Sequence, residues 1–270
     1  MSYSRSWSLS LPAVTVLFAE LGLGTPPQPF EPDYPYANQT QRQRFLRAVH
    51  DDLGDRGLLR DGAPDGELAA ALGTLADAPY AVLAVGRLED GLLVARCAWT
   101  DRTGVCAVQR GAELVLAVLD PGAAVPTLVD LLPRTRAASG KSIRVPGPIA
   151  PPTPAPTRTR DGADDGVQVL TPVGEDRPAG QDMVDRIFAN PVVRGGMFTP
   201  VIAGRDGHRT ELPPMTWFDT LDPASGPVRH FTTTSPGPDG RFWTSYLPGD
   251  NARMAGSLSE TIVRFARSAV

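Results

Sequence analysis

The pattern of apolar and polar positions divides the chain into two stretches that follow the same order of predicted elements. In the first stretch, apolar residues recur every three or four positions, the spacing of one helix face, near 14–21, 45–53 and 65–76. The pattern then changes to short alternating or fully apolar runs, which predict strands joined by tight turns. These runs are residues 80–87, 92–100, 105–110 and 113–119. A helix around 122–132 is predicted to follow them.

The second stretch repeats this order after a segment rich in proline. A helix is predicted near 179–189, and a final helix follows Asp250, which is placed to cap it. Between them lie four strand-like runs, at 196–203, 209–218, 227–234 and 241–246. The order predicts an N-terminal half at 1–133, a Pro-rich linker at 134–175 with one short strand in "KSIRV", and a C-terminal half at 176–270.

A Trp-x-Asp sequence occurs once in each half, as Trp99 with Asp101 and as Trp217 with Asp219. Both are predicted at the end of the second strand of their set. In that position the tryptophan would pack on the sheet with a partner for its N–H, and the aspartate would accept backbone N–H groups of the next turn. We therefore interpret both pairs as structural, and as parts of one unit used twice.

Composition and charge fit an ordinary globular protein. The 270 residues are 41% hydrophobic and 21% charged, and the formal net charge is −4. This balance provides no general attraction to nucleic acid. No apolar run approaches the roughly 20 residues that span a bilayer, so no membrane insertion is predicted. The run that starts at Leu11 predicts a folded helix in preference to a signal peptide.

Candidate catalytic and cofactor residues are few. Gly140-Lys141-Ser142 resembles the end of a phosphate loop, but Thr135 stands where that motif needs glycine. His50, His208 and His230 lie far apart, without the spacing of a metal site. We therefore predict no catalytic residue, no cofactor and no metal.

Two other functions stay open at this stage. One is a small-molecule hydrolase or ligand-binding protein with a site between the halves, using His208, His230 or Asp219. The other is a ligand-binding or self-assembling module that uses the apolar run 113–119. The two cysteines, Cys97 and Cys106, either form a disulfide or remain reduced in the sheet, and we favour the reduced thiols.

Residues 194–220, "RGGMFTPVIAGRDGHRTELPPMTWFDT", resemble the C-terminal signature of the EspG family, cytosolic chaperones of the actinobacterial type VII (ESX) secretion system. The matching positions are Gly195, Gly196, Phe198, the "RDGHR" hairpin at 205–209, Pro213, Pro214, Trp217, Phe218 and Asp219. The resemblance implies an α+β fold in which a central antiparallel sheet is flanked by helical bundles and two halves are quasi-symmetric.

The resemblance also implies a function without catalysis. Members bind the apolar helical tip of a PPE-type protein paired with a PE protein, which keeps this secretion substrate soluble in the cytoplasm. They use the sheet, the C-terminal helices and the loop between the second and third strands. The equivalent loop in this sequence is a tight hairpin, and its candidate partner-binding residues are Arg87, Leu88, Glu89 and Asp90.

Overall fold

One twelve-stranded sheet organises the computed structural model, which describes residues 5–32, 34, 36–146, 180–204, 206–237 and 241–268. Its strands are β1 (Arg5–Ser10), β4 (Tyr80–Leu88), β5 (Gly91–Trp99), β6 (Gly104–Arg110), β7 (Glu113–Leu119), β8 (Arg136–Ala137), β9 (Ile143–Pro146), β10 (Val192–Ala203), β11 (Arg209–Glu211), β12 (Met215–Asp222), β13 (Gly226–Pro236) and β14 (Phe242–Pro248). The strands β2 (Leu59–Arg60) and β3 (Ala63–Pro64) form a separate pair.

Six α-helices accompany the sheet in the described residues. They are α1 (Leu11–Glu20), α2 (Gln39–Asp55), α3 (Gly66–Asp77), α4 (Ala124–Val129), α5 (Gln181–Phe188) and α6 (Asn251–Ser268). Asn38 caps the start of α2, because its side chain accepts the Gln41 N–H at 2.9 Å, and the Gln41 side chain accepts the Ala37 N–H in return.

The strand order places the two halves symmetrically about the centre of the sheet. It runs β1-β7-β6-β5-β4-β10-β12-β13-β14-β9, and β4 pairs antiparallel with β10. In each half a preceding strand, β1 or β9, pairs antiparallel with the last strand, β7 or β14. The predicted α+β class with a large antiparallel sheet is confirmed. Two strands, β8 and β9, lie within the proposed linker, and the rest of it from 147 to 179 lies outside the described residues.

Helices cover the two faces of the sheet unequally. On the face that carries Ala81, Leu83 and Ala107, which we call the α1 face, α1, α2 and α3 pack over the first half. On the face that carries Val82, Ala84 and Trp217, which we call the α6 face, α4 and α6 form a second core cluster. Helix α5 covers the α1 face of the second half, where Phe188 stacks on Phe218 with ring centroids 4.9 Å apart.

Gly195 and Gly196, the two adjacent glycines of the 194–220 segment, lie where β10 of the C-terminal half pairs with β4 of the N-terminal half. Gly196 lies opposite Gly86 across the β4–β10 ladder, and the indole of Trp217 packs against both. A Cβ added at Gly196 would lie 2.6 Å from the Gly86 Cα and closer still to the Val85 carbonyl oxygen. A Cβ at Gly195 would meet nothing nearer than 3.4 Å. The close approach therefore requires glycine at 196 and not at 195.

The sequence predicted that the second Trp-x-Asp pair lies at the end of a strand, and this prediction is wrong. Trp217 and Asp219 are in the middle of β12, and both are fully buried. The Asp219 carboxylate binds Arg229 of β13, with Nε to Oδ1 at 2.7 Å and a second bond at 2.9 Å. The strand continues to Asp222, whose side chain accepts the Ala224 N–H of the turn. The expected partner of the Trp217 N–H is absent among the described residues.

The first Trp-x-Asp pair is built differently. Trp99 ends β5, is half-buried and stacks on Tyr80, with ring centroids 5.9 Å apart. Asp101 is exposed, and the Thr100 hydroxyl accepts the turn N–H groups of Arg102 and Thr103 instead. The prediction that the Asp101 side chain accepts the N–H groups of this turn is therefore wrong, because the Thr100 hydroxyl accepts them.

Asp219 is the centre of a buried group that we call the Asp219 cluster: Asp219, Arg194, Arg229, Thr135 and Asn251. Arg194 Nε lies 3.0 Å from Asp219, and Arg229 donates to the Thr135 hydroxyl at 3.1 Å and to the Asn251 side chain. Asn251 in turn donates to carbonyl groups at the end of α4 and just beyond it, each at 3.3 Å. The cluster therefore joins β10, β12 and β13 to α4 and α6.

Replacing Gly196 with alanine is expected to destabilise the fold by about 1–3 kcal/mol or more, because the added methyl group overlaps the β4 backbone. Gly195→Ala is the matched control, since its methyl group would make ordinary contacts. Urea unfolding of the two variants checks this, and equal midpoints would contradict the account.

Replacing Asp219 with asparagine keeps the shape of the side chain but leaves Arg229 buried without its counter-charge. The expected loss in the free energy of unfolding is about 3–5 kcal/mol. Asp222→Asn, in the exposed turn of the same strand, should cost clearly less. Denaturant titrations of both variants test this, and wild-type stability in Asp219→Asn would show that the cluster does not hold the half together.

Candidate functional site

A strip of exposed apolar side chains crosses the middle of the α1 face. Val85 and Met197 lie directly opposite each other across the β4–β10 ladder and are 36% and 39% exposed. Leu92 on β5 lies opposite Arg87 of β4, points to the same face and is 72% exposed. We call Val85, Arg87, Leu92 and Met197 the central strip. Apolar groups gathered on an open surface in this way are typical of a binding site.

The strip is exposed because, in the described part of the chain, the helices of the two halves do not meet over it. Along β4, the α1-face residues Ala81 and Leu83 are buried, and exposure begins at Val85. Along β10, Val201 is buried and Met197 is exposed on the same face. The junction that the pseudo-symmetry creates is therefore uncovered on this face, although the α6 face of the same strands is filled by Trp217 and Phe198.

Apolar exposure continues toward α5. Met183 and Phe188 of α5 and Val192 at the start of β10 are each exposed by about half of their surface: 49%, 48% and 49%. A register shift between Val192 and Arg194 places Val192 opposite Thr220, which lies on the α1 face. The apolar side chains of α5 are thus only partly buried, because Val184 is the one buried residue of that helix.

The four predicted partner-binding residues occupy the β4–β5 hairpin but do not act alike. Arg87 is exposed on the central strip, opposite Gly195. Leu88 points to the other face and packs against the core beneath α4 and α6. Glu89 and Asp90 form the exposed turn, and Glu89 lies 3.8 Å from Arg194 of the Asp219 cluster. The hairpin is therefore tied electrostatically to the buried cluster.

The sequence reasoning did not find Val85, Leu92 and Met197. The sequence did contain an indication of this surface. The run "YAVLAVGRL" has apolar residues on both faces of its strand, whereas a strand with one solvent-facing side alternates apolar and polar residues. The sequence had instead suggested the run 113–119 as a contact surface. That run is β7, which lies between β1 and β6 with Leu114 and Leu116 fully buried, so it is not available as a surface for assembly.

The histidines of the alternative catalytic hypothesis lie on separate elements. His50 on α2 pairs with Glu20 at 2.6 Å, and His208 lies in the hairpin that joins β10 to β11. His230 on β13 is buried and stacks on Phe218; burial lowers the pKa of its imidazole, while the Asp219 charge acts in the opposite direction. Among the described residues, no three His, Cys, Asp or Glu side chains gather as a metal site would need.

Grooves follow α6 on the other face of the sheet. One of about 500 Å³ is lined by Tyr80, Trp99, Val125, Ile262 and Val263, and another of about 640 Å³ lies between the end of α4 and the start of α6. Neither contains a histidine or a cysteine. Within the described part of the chain, no helix has the length and apolar character that crossing a membrane requires.

Comparison with known proteins gives a consistent picture. A protein-family model described as the EspG family matches residues 10–260. Among solved structures, the chain is similar to the Mycobacterium tuberculosis type VII secretion system chaperone EspG5, solved in complex with a PE25–PPE41 dimer. The TM-score is 0.62 at 11% identity, over 96% of each chain. No curated protein matches this chain.

The family match extends over most of the chain and includes both halves of the sheet, the central strip and the Asp219 cluster. The match to the solved structure, at this low identity, supports the shared fold. The resemblance seen in residues 194–220 is thereby confirmed, and the chain belongs to the EspG family.

Proposed function

We propose that this protein is a cytoplasmic chaperone that binds the apolar helical tip of a PPE-type protein in a PE–PPE pair and keeps it soluble for type VII export. Family membership supports this, as does the solved relative, which is described as a chaperone in complex with a PE–PPE dimer. The observation that carries the proposal to particular residues is the uncovered apolar strip where β4 meets β10.

The physical basis is the burial of apolar surface on both partners. A secretion substrate with an apolar helical tip would self-associate through that tip, and a protein that covers the tip prevents this. Stable interfaces of this kind bury about 1,200–2,000 Å² in total and have an apolar centre with a polar rim. The chaperone needs only to bind and release, so the proposal assigns it no catalytic residue and no cofactor.

The strip and its surroundings have the composition that such an interface requires. Val85, Met197 and Leu92 provide the apolar centre on three neighbouring, paired strands of the sheet. Arg87, Glu89 and Asp90 provide charged groups at the hairpin, where they form the rim. Leu88 faces the core, so we assign it a role in holding the hairpin in place instead of a direct contact.

Replacing Met197 or Val85 with aspartate should weaken binding of the cognate PE–PPE pair by at least about tenfold each, because a charge would be buried in the apolar centre of the interface. Both side chains are partly exposed, so the fold should tolerate the change. Co-expression with PE–PPE pairs encoded in the same genome, followed by size-exclusion chromatography and titration calorimetry, measures the effect.

Leu221→Asp is the matched control, since Leu221 is similarly exposed, at 42%, but lies on the α6 face of β12. The control should bind like the wild type. Normal binding by both strip variants would contradict the assignment of the surface while leaving the chaperone function intact. Failure of the wild-type chain to form a soluble complex with every such pair would contradict the function itself.

A further inference from the structure

The two cysteines of the chain lie directly opposite each other in the sheet. Cys97 on β5 and Cys106 on β6 are register partners in the antiparallel ladder, and both are reduced and buried. Their side chains project to the α6 face, beneath α4, in the same core cluster as Leu128. The sequence contains no other cysteine, so any disulfide within one chain would join these two residues.

Directly opposite residues of two antiparallel strands alternate between a longer and a shorter Cα separation, and Cys97 and Cys106 form a pair of the shorter kind. At the hairpin turn, the Thr100 N–H donates to the Thr103 carbonyl at 2.9 Å, which makes these two residues a hydrogen-bonded pair. Hydrogen-bonded and non-hydrogen-bonded pairs alternate along an antiparallel ladder. Counting from Thr100–Thr103, the pair Trp99–Gly104 is non-hydrogen-bonded, Ala98–Val105 is hydrogen-bonded, and Cys97–Cys106 is non-hydrogen-bonded.

Residues in a non-hydrogen-bonded pair have Cα atoms about 4.5 Å apart, and their side chains are closer than in the other type of pair. A disulfide requires a Cα separation of about 4.4–6.8 Å. The spacing of this position therefore falls within the range that a disulfide bridges without moving the backbone. Burial, together with the neighbouring Cys106 thiol, raises the pKa of the Cys97 thiol well above its ordinary value.

We propose that Cys97 and Cys106 form a reversible cross-strand disulfide when the protein meets a small-molecule disulfide, so that β5 and β6 become covalently joined beneath α4. One cysteine thiolate attacks a sulfur of the reagent and expels the first thiolate, which gives a mixed disulfide. The second cysteine thiolate then attacks the protein sulfur and expels the second thiolate. The two cysteines are oxidised, the reagent is reduced to two thiols, and the two cysteine protons pass to the solvent or to those thiols.

Access to the pair comes through the end of the hairpin. Three residue pairs, Thr100–Thr103, Trp99–Gly104 and Ala98–Val105, separate the cysteines from the exposed turn at Asp101 and Arg102. Opening of this end would expose the thiols, whereas the closed fold shields them from the reagent. The pair is therefore expected to oxidise slowly in the folded protein and to become fully oxidised when refolding occurs in an oxidising buffer.

Refolding the full chain from denaturant in oxidised glutathione, and separately with a reduced dithiol, tests the proposal. After oxidation we expect a monomer that has lost both free thiols and two hydrogen atoms of mass, with the same near-UV circular dichroism as the reduced protein. The dithiol should restore both thiols. Prolonged incubation of the folded protein in oxidised glutathione should reach the same product more slowly.

Cys97→Ser and Cys106→Ala are the control variants, and each should form only a mixed disulfide with glutathione or a disulfide between chains. Three results would overturn the proposal. The wild-type chain could regain its fold in oxidised glutathione with both thiols free, it could yield only mixed or intermolecular disulfides, or its internal disulfide could form only with loss of the native circular dichroism.

Discussion

The C-terminal half depends on one buried electrostatic interaction, the pairing of the Asp219 carboxylate with Arg229. Both side chains are fully buried, so neither charge has water to stabilise it, and each needs the other. Thr135 and Asn251 accept hydrogen bonds from Arg229, and the Thr135 hydroxyl also donates to Asp219, so the pair is attached to the ends of α4 and α6. Arg194 forms a second ion pair with Asp219. Arg194 also lies 3.8 Å from Glu89, so a weak ion pair to the solvent-exposed Glu89 carboxylate connects the β4–β5 hairpin beside the central strip to the same cluster.

A second constraint acts where the two halves join. The indole of Trp217 lies against Gly86 and Gly196, which allows β4 and β10 to pair closely and lets one sheet continue through both halves. The α6 face of this junction is filled by that ring, while on the α1 face no helix of the described residues lies over Val85 and Met197. The apolar surface that we assign to partner binding is thus a consequence of how the halves meet.

Sequence patterns predicted the local elements well and the tertiary roles poorly. The alternation of apolar residues identified β4 to β7, and helical spacing identified α1, α2, α3 and α6, because these patterns record which face is buried. The same patterns contain no information about partners distant in the chain. Asp219 was therefore assigned to a turn, since its partner Arg229 lies on another strand and Thr135 is 84 residues away.

The candidate binding surface likewise depends on contacts between distant parts of the chain, which sequence patterns do not reveal. The hairpin at Arg87–Asp90 was identified through the resemblance to a family, yet Val85 and Met197 were missed because each reads as an ordinary core residue in its own strand. Only the pairing of β4 with β10 places them side by side, and only the positions of the helices leave them exposed. Whether an apolar strand residue is core or surface depends on what packs above it, which a single sequence does not encode locally.

The proposed partner-binding surface lies on the α1 face where the two halves join. Methyl NMR of the protein with labelled methionine tests it most directly, because Met197 lies on the central strip whereas Met215 and Met254 are buried on the α6 face. On addition of an unlabelled cognate PE–PPE pair, we expect the Met197 signal to shift or broaden while those of Met215 and Met254 hold their positions. A bound complex in which the Met215 or Met254 signals move and the Met197 signal does not would contradict it.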